Sequence, residues 1–126
     1  MFEDYSIGWV ELATRDTGKA REFYANLLTW TYSESPIPIP DSGNYTEISV
    51  GATRYGGILP MNPAWGSIPP HWGIYVMVPD VDACIVKAKE SGGSNPLPAF
   101  DAPGVGRIAM ISDPTGAHCY VITLKS

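Results

Sequence analysis

The chain has 126 residues, enough for one domain with a sizeable core and too few for two independently folding domains of ordinary size. Apolar residues make up 44% and charged residues 17%, which predicts a folded rather than a disordered protein. Thirteen acidic against eight basic residues give a net charge of -5, the wrong sign for a protein whose main partner is a nucleic-acid backbone.

The same reading gives an expected compartment. No apolar stretch approaches the roughly 20 residues of a membrane-spanning helix, and the opening Met1-Phe2-Glu3-Asp4 has neither the basic nor the apolar region of a secretory signal. Cys84 and Cys119 have no CxxC spacing and are predicted to be free thiols in the core. We therefore expect a cytoplasmic protein that binds neither membrane nor nucleic acid.

The first predicted elements are a strand over Ile7 to Ala13 and a helix capped by Asp16. Strands over Tyr45 to Val50 and Arg54 to Leu59 follow, joined by a turn at Gly51-Ala52. Spacing at i, i+3, i+4, i+7 and i+8 predicts one apolar stripe on the helix, formed by Ala20, Phe23, Tyr24, Leu27 and Leu28.

The second half repeats this order. A strand over Trp72 to Val78 leads to Asp80, 64 residues after Asp16, and to a helix that ends at Gly92-Gly93. Its apolar stripe consists of Val81, Cys84, Ile85 and Ala88. Strands over Arg107 to Ser112 and His118 to Leu124 follow, joined by the turn Asp113-Pro114-Thr115-Gly116. There is room for a further strand around Trp30 to Ser33 or Asn95 to Leu97, and the simplest account is an internal repeat.

Most prolines fall into three clusters that we predict to be loops. The clusters are Pro36, Pro38 and Pro40; Pro60, Pro63, Pro69 and Pro70; and Pro96, Pro98 and Pro103. The middle cluster predicts a linker over residues 60–70, between a first module of about residues 5–60 and a second of about residues 71–125. Both modules are expected to share one domain over residues 1–126, because two halves can cover each other's sheet.

The paired modules resemble the vicinal oxygen chelate superfamily, which includes glyoxalase I, bleomycin-resistance proteins and extradiol dioxygenases. The resemblance is carried by Asp16, by the helix end Phe23-Tyr24-Ala25-Asn26-Leu27-Leu28-Thr29-Trp30, by Asp80-Val81-Asp82-Ala83 and by Asp113-Pro114-Thr115-Gly116. Pro69-Pro70-His71-Trp72 and Pro103-Gly104-Val105-Gly106-Arg107 are similar to a glyoxalase-like subgroup. The resemblance implies an α+β fold of two βαβββ modules that form a concave mixed sheet with helices on the outside. It also implies a homodimer.

The metal site of this family is not expected here. The resemblance assigns first-strand ligands to Trp9 and Gly73 and a last-strand ligand to Tyr120, with a counterpart near Gly56 or Gly57. Indole, glycine and phenol are not the imidazole and carboxylate set that a divalent metal requires. We therefore expect no cofactor, and the alternative is a site shifted by one position, formed by Glu11, His71 and His118.

Strand parity predicts a different site. Residues two apart share a face, so a cup lined by aromatic residues and one carboxylate is expected from Trp9, Glu11, Tyr75, Met77 and Tyr120. Trp65 could cover this cup or merely cover core. Glu11 is the candidate catalytic residue, because a buried carboxylate can serve as a base or as a counter-charge for a cationic ligand. The structural alternative is a strand carboxylate that reaches solvent or forms a salt bridge with Arg54 or Arg107.

Three functions follow from this site. The first is a glyoxalase- or bleomycin-resistance-like protein that binds a small organic molecule in the aromatic cup without the usual divalent metal. The second is a lyase or isomerase that acts on a small carbonyl compound, with Glu11 as base or with a non-standard metal site. The third is an interaction protein whose cup is filled by its own aromatic side chains.

Overall fold

The computed structural model describes residues 3–39 and 43–125. Its fold class is α+β, with mixed parallel and antiparallel strands, as the sequence predicts. The elements of the first half are β1 Ile7–Thr14, α1 Thr17–Leu28, β2 Thr31–Ile39, β3 Gly43–Val50 and β4 Thr53–Pro60. Those of the second half are β5 His71–Met77, α2 Val81–Glu90, β6 Ser94–Ala102, β7 Gly106–Ser112 and β8 His118–Leu124. Both halves therefore have the order βαβββ, and a short 3-10 helix, Pro63–Trp65, lies between them.

The chain divides into two compact units. The α1 unit consists of residues 10–72 and the α2 unit of residues 3–9 with residues 73–125. In the α1 unit the strand order is β2-β3-β4-β1, with β4 and β1 parallel and the other neighbours antiparallel. In the α2 unit the order is β5-β8-β7-β6, again with one parallel pair, β5 and β8. The prediction of a single domain over residues 1–126 stays a prediction.

Both helices begin at the predicted aspartates. The Asp16 carboxylate accepts a hydrogen bond from the backbone N–H of Lys19 at 3.0 Å, and Asp80 accepts one from Ala83 at 3.1 Å. Each cap satisfies a backbone donor that has no partner within the first helical turn. The predicted N-caps are confirmed.

Each unit packs its helix on one face of its strands. In the α1 unit the buried residues Leu12, Ile48 and Ile58 pack with Ala20 and Tyr24 of α1. In the α2 unit the buried core consists of Val78, Val81, Ile85, Ala109 and Val121, with Cys84 packed against it. The stripe predicted on α2 is thus confirmed in its main members.

The apolar stripe predicted on α1 packs against the core in part. Ala20 and Tyr24 contact the core, and the Tyr24 ring stacks on Trp30 with centroids 5.2 Å apart. Phe23, Leu27 and Leu28 are 58%, 61% and 44% exposed. Helical spacing identifies an apolar face but not what covers it.

Pro103 lies in a turn between β6 and β7, as predicted, but the loops predicted at four other prolines of the first and third clusters are wrong. Pro36 and Pro38 lie in β2, and Pro96 and Pro98 lie in β6, whereas Pro40 falls outside the described residues. Both strands are at the ends of the strand order, where an N–H that points away from the neighbouring strand is not needed for pairing. The pairing of β2 with β3 is irregular between Glu34 and Pro38.

Candidate functional site

Glu11 is a buried carboxylate in the middle of β1. Its neighbour Leu12 packs under α1, so the Glu11 side chain leaves the strand on the face that points away from that helix. Glu11 is 3% exposed. A charged group buried to this extent is costly unless it is hydrogen-bonded or paired.

The residue directly beside Glu11 in the parallel ladder is Gly57 of β4. A Cβ atom placed on Gly57 would collide with the hydroxyl and ring edge of Tyr45, which reaches across from β3. Only glycine leaves room for this approach. The Tyr45 hydroxyl thus lies close to the Cβ position of Gly57. Because adjacent strands are about 4.8 Å apart, it is about one strand spacing from the Cβ atom of Glu11.

A second carboxylate, Glu47, lies on the other side of Gly57. Glu47 of β3 is the antiparallel partner of Gly57, so Glu11, Gly57 and Glu47 form one row across three strands. Both oxygens of Glu47 accept from Arg54 Nη1 at 3.1 Å. The Glu47 side chain is 20% exposed and that of Arg54 is 59% exposed. Arg54 thus forms an ion pair with Glu47, and Arg107 forms ion pairs with Asp82 and Asp101.

The other predicted site residues are divided between the units. Trp65 is buried in the α1 unit with Glu11, and its ring centroid lies 6.1 Å from that of His71. Trp9, Tyr75, Met77 and Tyr120 belong to the α2 unit.

Tyr75 and Tyr120 are brought together. They are paired residues of β5 and β8, and their rings stack with centroids 4.5 Å apart. The face that they share, which points away from α2, is apolar and buried; its members are Tyr75, Met77, Ile108, Met110, Tyr120 and Ile122. The described polar groups therefore differ between the two repeats, since the corresponding face of the α1 unit carries Glu11, Tyr45 and Glu47.

The side chains present do not fit the metal site that the resemblance implies. No imidazole or carboxylate stands at the assigned positions, which are Trp9, Gly73, Tyr120 and Gly56 or Gly57. Within residues 3–39 and 43–125, no three His, Cys, Asp or Glu side chains are grouped so that they could hold a metal ion. Glu11, His71 and His118 are thus not such a group.

His71 has a local contact instead. Its Nδ1 lies 2.7 Å from the backbone oxygen of Pro69.

An apolar surface extends over one side of the α1 unit. It includes an open groove of about 400 Å³ lined by Val10, Trp30, Ile48, Val50, Tyr55, Gly56 and Trp72. Trp72 and Tyr55 are 40% and 61% exposed. The indole N–H of Trp72 donates to the Tyr24 hydroxyl at 3.0 Å, which fixes the indole ring at the groove wall. We call this groove, together with the exposed Phe23, Leu27 and Leu28 of α1, the apolar surface.

Sequence reasoning missed Tyr45 and the groove. The Tyr45 position follows from the register of β3 on β4, which no local pattern reveals. The groove brings together residues from β1, β3, β4, β5 and the segment after α1. A surplus of aromatic residues in the first repeat was the available signal.

With this geometry established, the chain can be compared with known proteins. The model of the Glyoxalase/Bleomycin resistance protein/Dioxygenase superfamily matches residues 6–118. The chain belongs to this family.

Two kinds of curated relative are similar in sequence. A protein named "Putative glyoxylase CFP32" from Mycobacterium tuberculosis is 40% identical over 110 residues, which cover 86% of this chain and 42% of the relative. The anthracycline biosynthesis protein DnrV from Streptomyces peucetius is 34% identical over 125 residues, covering 95% of this chain and 42% of the relative. The chain therefore spans about two fifths of the length of these relatives.

Solved structures share the fold at low sequence identity. Methylmalonyl-CoA epimerase from Mycobacterium tuberculosis matches with a TM-score of 0.59 and 16% identity, over 100% of this chain and 94% of that one. The hypothetical protein BH1468 from Bacillus halodurans matches with a TM-score of 0.62 and 14% identity, over 98% and 97%. These matches concern the fold alone.

Among the described residues, no helix is both long and apolar enough to span a membrane.

Proposed function

We propose that this glyoxalase-family chain binds a small organic molecule through Glu11, without the divalent metal of its metal-dependent relatives. The observation that carries the proposal is the burial of Glu11 compared with its counterpart in the second repeat. The residue 64 positions after Glu11 is Tyr75, which is also buried but uncharged. The same strand position thus tolerates a buried uncharged side chain, and a costly buried carboxylate is retained where it has a use.

The chemistry of Glu11 defines the ligand class. A buried carboxylate accepts hydrogen bonds and attracts positive charge, and so favours an organic molecule with an apolar body and a cationic or hydrogen-donating group. Trp9, Tyr75, Met77, Tyr120 and Trp65 remain the proposed apolar lining.

The direct test is binding by the Glu11→Gln variant. Tryptophan fluorescence would report titration of the purified chain with a cationic aromatic amine and with a neutral aromatic of the same size. Because a hydrogen bond to a charged group contributes about 1.5–3 kcal/mol, the variant should bind the cationic probe about tenfold or more weakly. Glu90→Gln, at the exposed end of α2, is the matched control. Equal affinities of both variants and the wild type would remove Glu11 from the site.

The second candidate function is a lyase or isomerase with Glu11 as the base. It is favoured by the two carboxylates that flank Gly57 in different surroundings. Glu47 is paired with Arg54, whereas Glu11 is almost completely buried. Carboxylates whose environments differ in this way can divide acid and base roles.

Proton abstraction beside a carbonyl can be detected without knowing the natural substrate. Small α-keto aldehydes and 2-substituted thioesters are incubated with the protein in heavy water, and proton loss at the carbon beside the carbonyl is followed by NMR. The wild type should exchange at least one probe faster than Glu11→Gln does. A chelator added in parallel should leave the rate unchanged, and exchange that a chelator abolishes would contradict the metal-free proposal.

We further propose that a second copy of this chain covers the apolar surface. The lining residues Trp72 and Tyr55 remain about half exposed, whereas small-molecule sites enclose most of their ligand. Exposed aromatic surface of this kind is typical of protein interfaces. In each curated relative, the part that this chain does not match is longer than this chain itself. A second copy of this chain would supply a comparable amount of protein.

The internal repeat gives the control for this proposal. The residues 64 positions after Phe23 and Leu27 are Lys87 and Ser91, both exposed on the α2 side. The fold therefore does not require apolar residues at these helix positions. The double variant Phe23→Lys with Leu27→Ser places the polar residues of α2 at the corresponding positions of α1. Sedimentation equilibrium should then show a monomer in place of a dimer, and circular dichroism should show no loss of helix. Val86→Lys, an exposed position of α2, should leave the dimer intact. A wild-type monomer at all concentrations would overturn the proposal.

A further inference from the structure

In the fold family, one position on the last strand of the first module holds a metal ligand. In this chain that position falls near Gly56 or Gly57, and a close contact between Tyr45 and Gly57 lies there. The Tyr45 phenol fills the space that the missing side chain of Gly57 leaves. Tyr45 and Glu47 are two residues apart on β3, so both side chains leave the strand on the face that carries Glu11. The hydroxyl thus lies over the centre of the row Glu11, Gly57 and Glu47.

The two carboxylates of this row lie in different surroundings. Glu47 accepts from Arg54 with both oxygens at 3.1 Å and is partly exposed. Glu11 is 3% exposed and lies on a strand in which its own backbone is engaged with β4. Buried polar groups in native proteins are almost always hydrogen-bonded. The Tyr45 O–H is a donor close to Glu11, because it lies beside Gly57 and Gly57 is the strand partner of Glu11.

We infer that Tyr45 is a positioning residue for Glu11: its hydroxyl donates a hydrogen bond to one oxygen of the Glu11 carboxylate and so orients the other, outward oxygen toward the ligand. This inference rests on the proposed role of Glu11 and gives that residue a fixed orientation. The contact depends on glycine at position 57, because any other residue there would displace the phenol. In the lyase or isomerase reaction the outward oxygen takes the proton from the carbon beside the carbonyl, whose electron pair moves onto the carbonyl oxygen as an enolate. The same oxygen returns the proton to carbon.

The hydrogen bond can be tested without any ligand. In protein labelled with carbon-13 at tyrosine Cζ and dissolved in mixed light and heavy water, a slowly exchanging hydroxyl doubles the Cζ resonance. Tyr45 should give a doubled resonance, and Tyr5, which is 71% exposed, should give a single one. Glu11→Gln should shift the Tyr45 resonance and abolish the doubling, because a bond to a charged acceptor is about twice as strong as one to a neutral acceptor. Glu47→Gln should leave the Tyr45 resonance unchanged.

Two results would overturn the inference. One is a single Tyr45 resonance in the wild type, and the other is a Tyr45 resonance that responds to Glu47→Gln but not to Glu11→Gln. The effect on activity is measured with any carbonyl probe whose proton the wild type exchanges in heavy water. Tyr45→Phe should slow this exchange about tenfold, the amount expected for one lost hydrogen bond to a charged group, whereas Tyr5→Phe should not. If no probe exchanges but the NMR results are as expected, the hydrogen bond between Tyr45 and Glu11 is supported and the proposed lyase or isomerase function is rejected.

Discussion

The rings of Tyr75 and Tyr120 lie nearly parallel, 9° apart in plane and 4.5 Å apart in centroid, on directly paired residues of two parallel strands. Both are buried, with 5% and 1% exposure. Removal of one ring leaves a cavity and a lone partner, so Tyr120→Ala should lower the free energy of unfolding by about 3–5 kcal/mol. Urea denaturation would measure this. Tyr120→Phe keeps the stacked ring and should cost much less; equal losses for the two variants would show that the stack contributes little.

Gly57→Ala should destabilise the protein through Tyr45. The added methyl group overlaps the phenol, and such overpacking costs about 1–3 kcal/mol. Tyr45→Ala removes the obstacle, so Gly57→Ala should cost less in the Tyr45→Ala background than in the wild type, as a double-mutant cycle measures. Additive effects would contradict the contact. Gly18→Ala, where a Cβ meets only ordinary contact distances, is the control.

The two helix caps should have similar strength. Asp16→Ala and Asp80→Ala each remove a side-chain acceptor for one backbone N–H and should each cost about 1 kcal/mol in thermal or urea unfolding. Asparagine at either position can accept the same hydrogen bond and should preserve most of the stability. A loss in Asp16→Asn as large as that in Asp16→Ala would mean that the effect lies elsewhere.

The turn before β8 should make stability depend on pH in the acid range. The Thr115 hydroxyl, followed by the backbone N–H groups of Thr115 and Ala117, donates to Asp113 and lowers the pKa of this carboxyl. A group with a lowered folded-state pKa stabilises the fold above its unfolded-state pKa, and the contribution disappears as the pH falls through the folded-state value. Asp113→Asn should therefore lose less stability on acidification than the wild type. Urea midpoints from neutral pH into the acid range would test this, with Glu90→Gln expected to behave as the wild type.

Both thiols should react slowly in the folded protein. Burial raises the pKa of Cys84 and of Cys119, so little thiolate forms at neutral pH. Alkylation by iodoacetamide, followed by mass spectrometry, should be much slower in buffer than in urea at the same pH. Rapid alkylation of folded protein would show that the thiols are accessible and ionised.

Local patterns predicted most of the fold. The bounds predicted for β8, His118 to Leu124, are those observed, and Asp16 and Asp80 cap their helices as expected. Spacing did not show that Phe23 and Leu27 are exposed, because the periodicity of an apolar face does not say which partner covers it. Proline failed as a loop signal at Pro96 and Pro98, because these residues lie in a strand at the end of the strand order. On its outer side such a strand needs no backbone N–H for pairing.

The candidate site was only partly accessible to the same reasoning. Parity selected Glu11, which is buried in the α1 unit, but its role in function stays a prediction. The contact of Tyr45 with Gly57 depends on the register between β3 and β4. Register is set by long-range pairing and by the turn at Gly51, so the sequence around Tyr45 alone could not reveal it.

The prolines within β2 and β6 have a consequence for the behaviour of the protein at high concentration. A strand at the end of a sheet can recruit a strand from another molecule and so start aggregation. Pro36, Pro38, Pro96 and Pro98 each lack the N–H that an incoming strand would need. These two strands therefore offer an interrupted template to other chains, which favours a protein that stays dispersed while its apolar surface remains available for a specific partner.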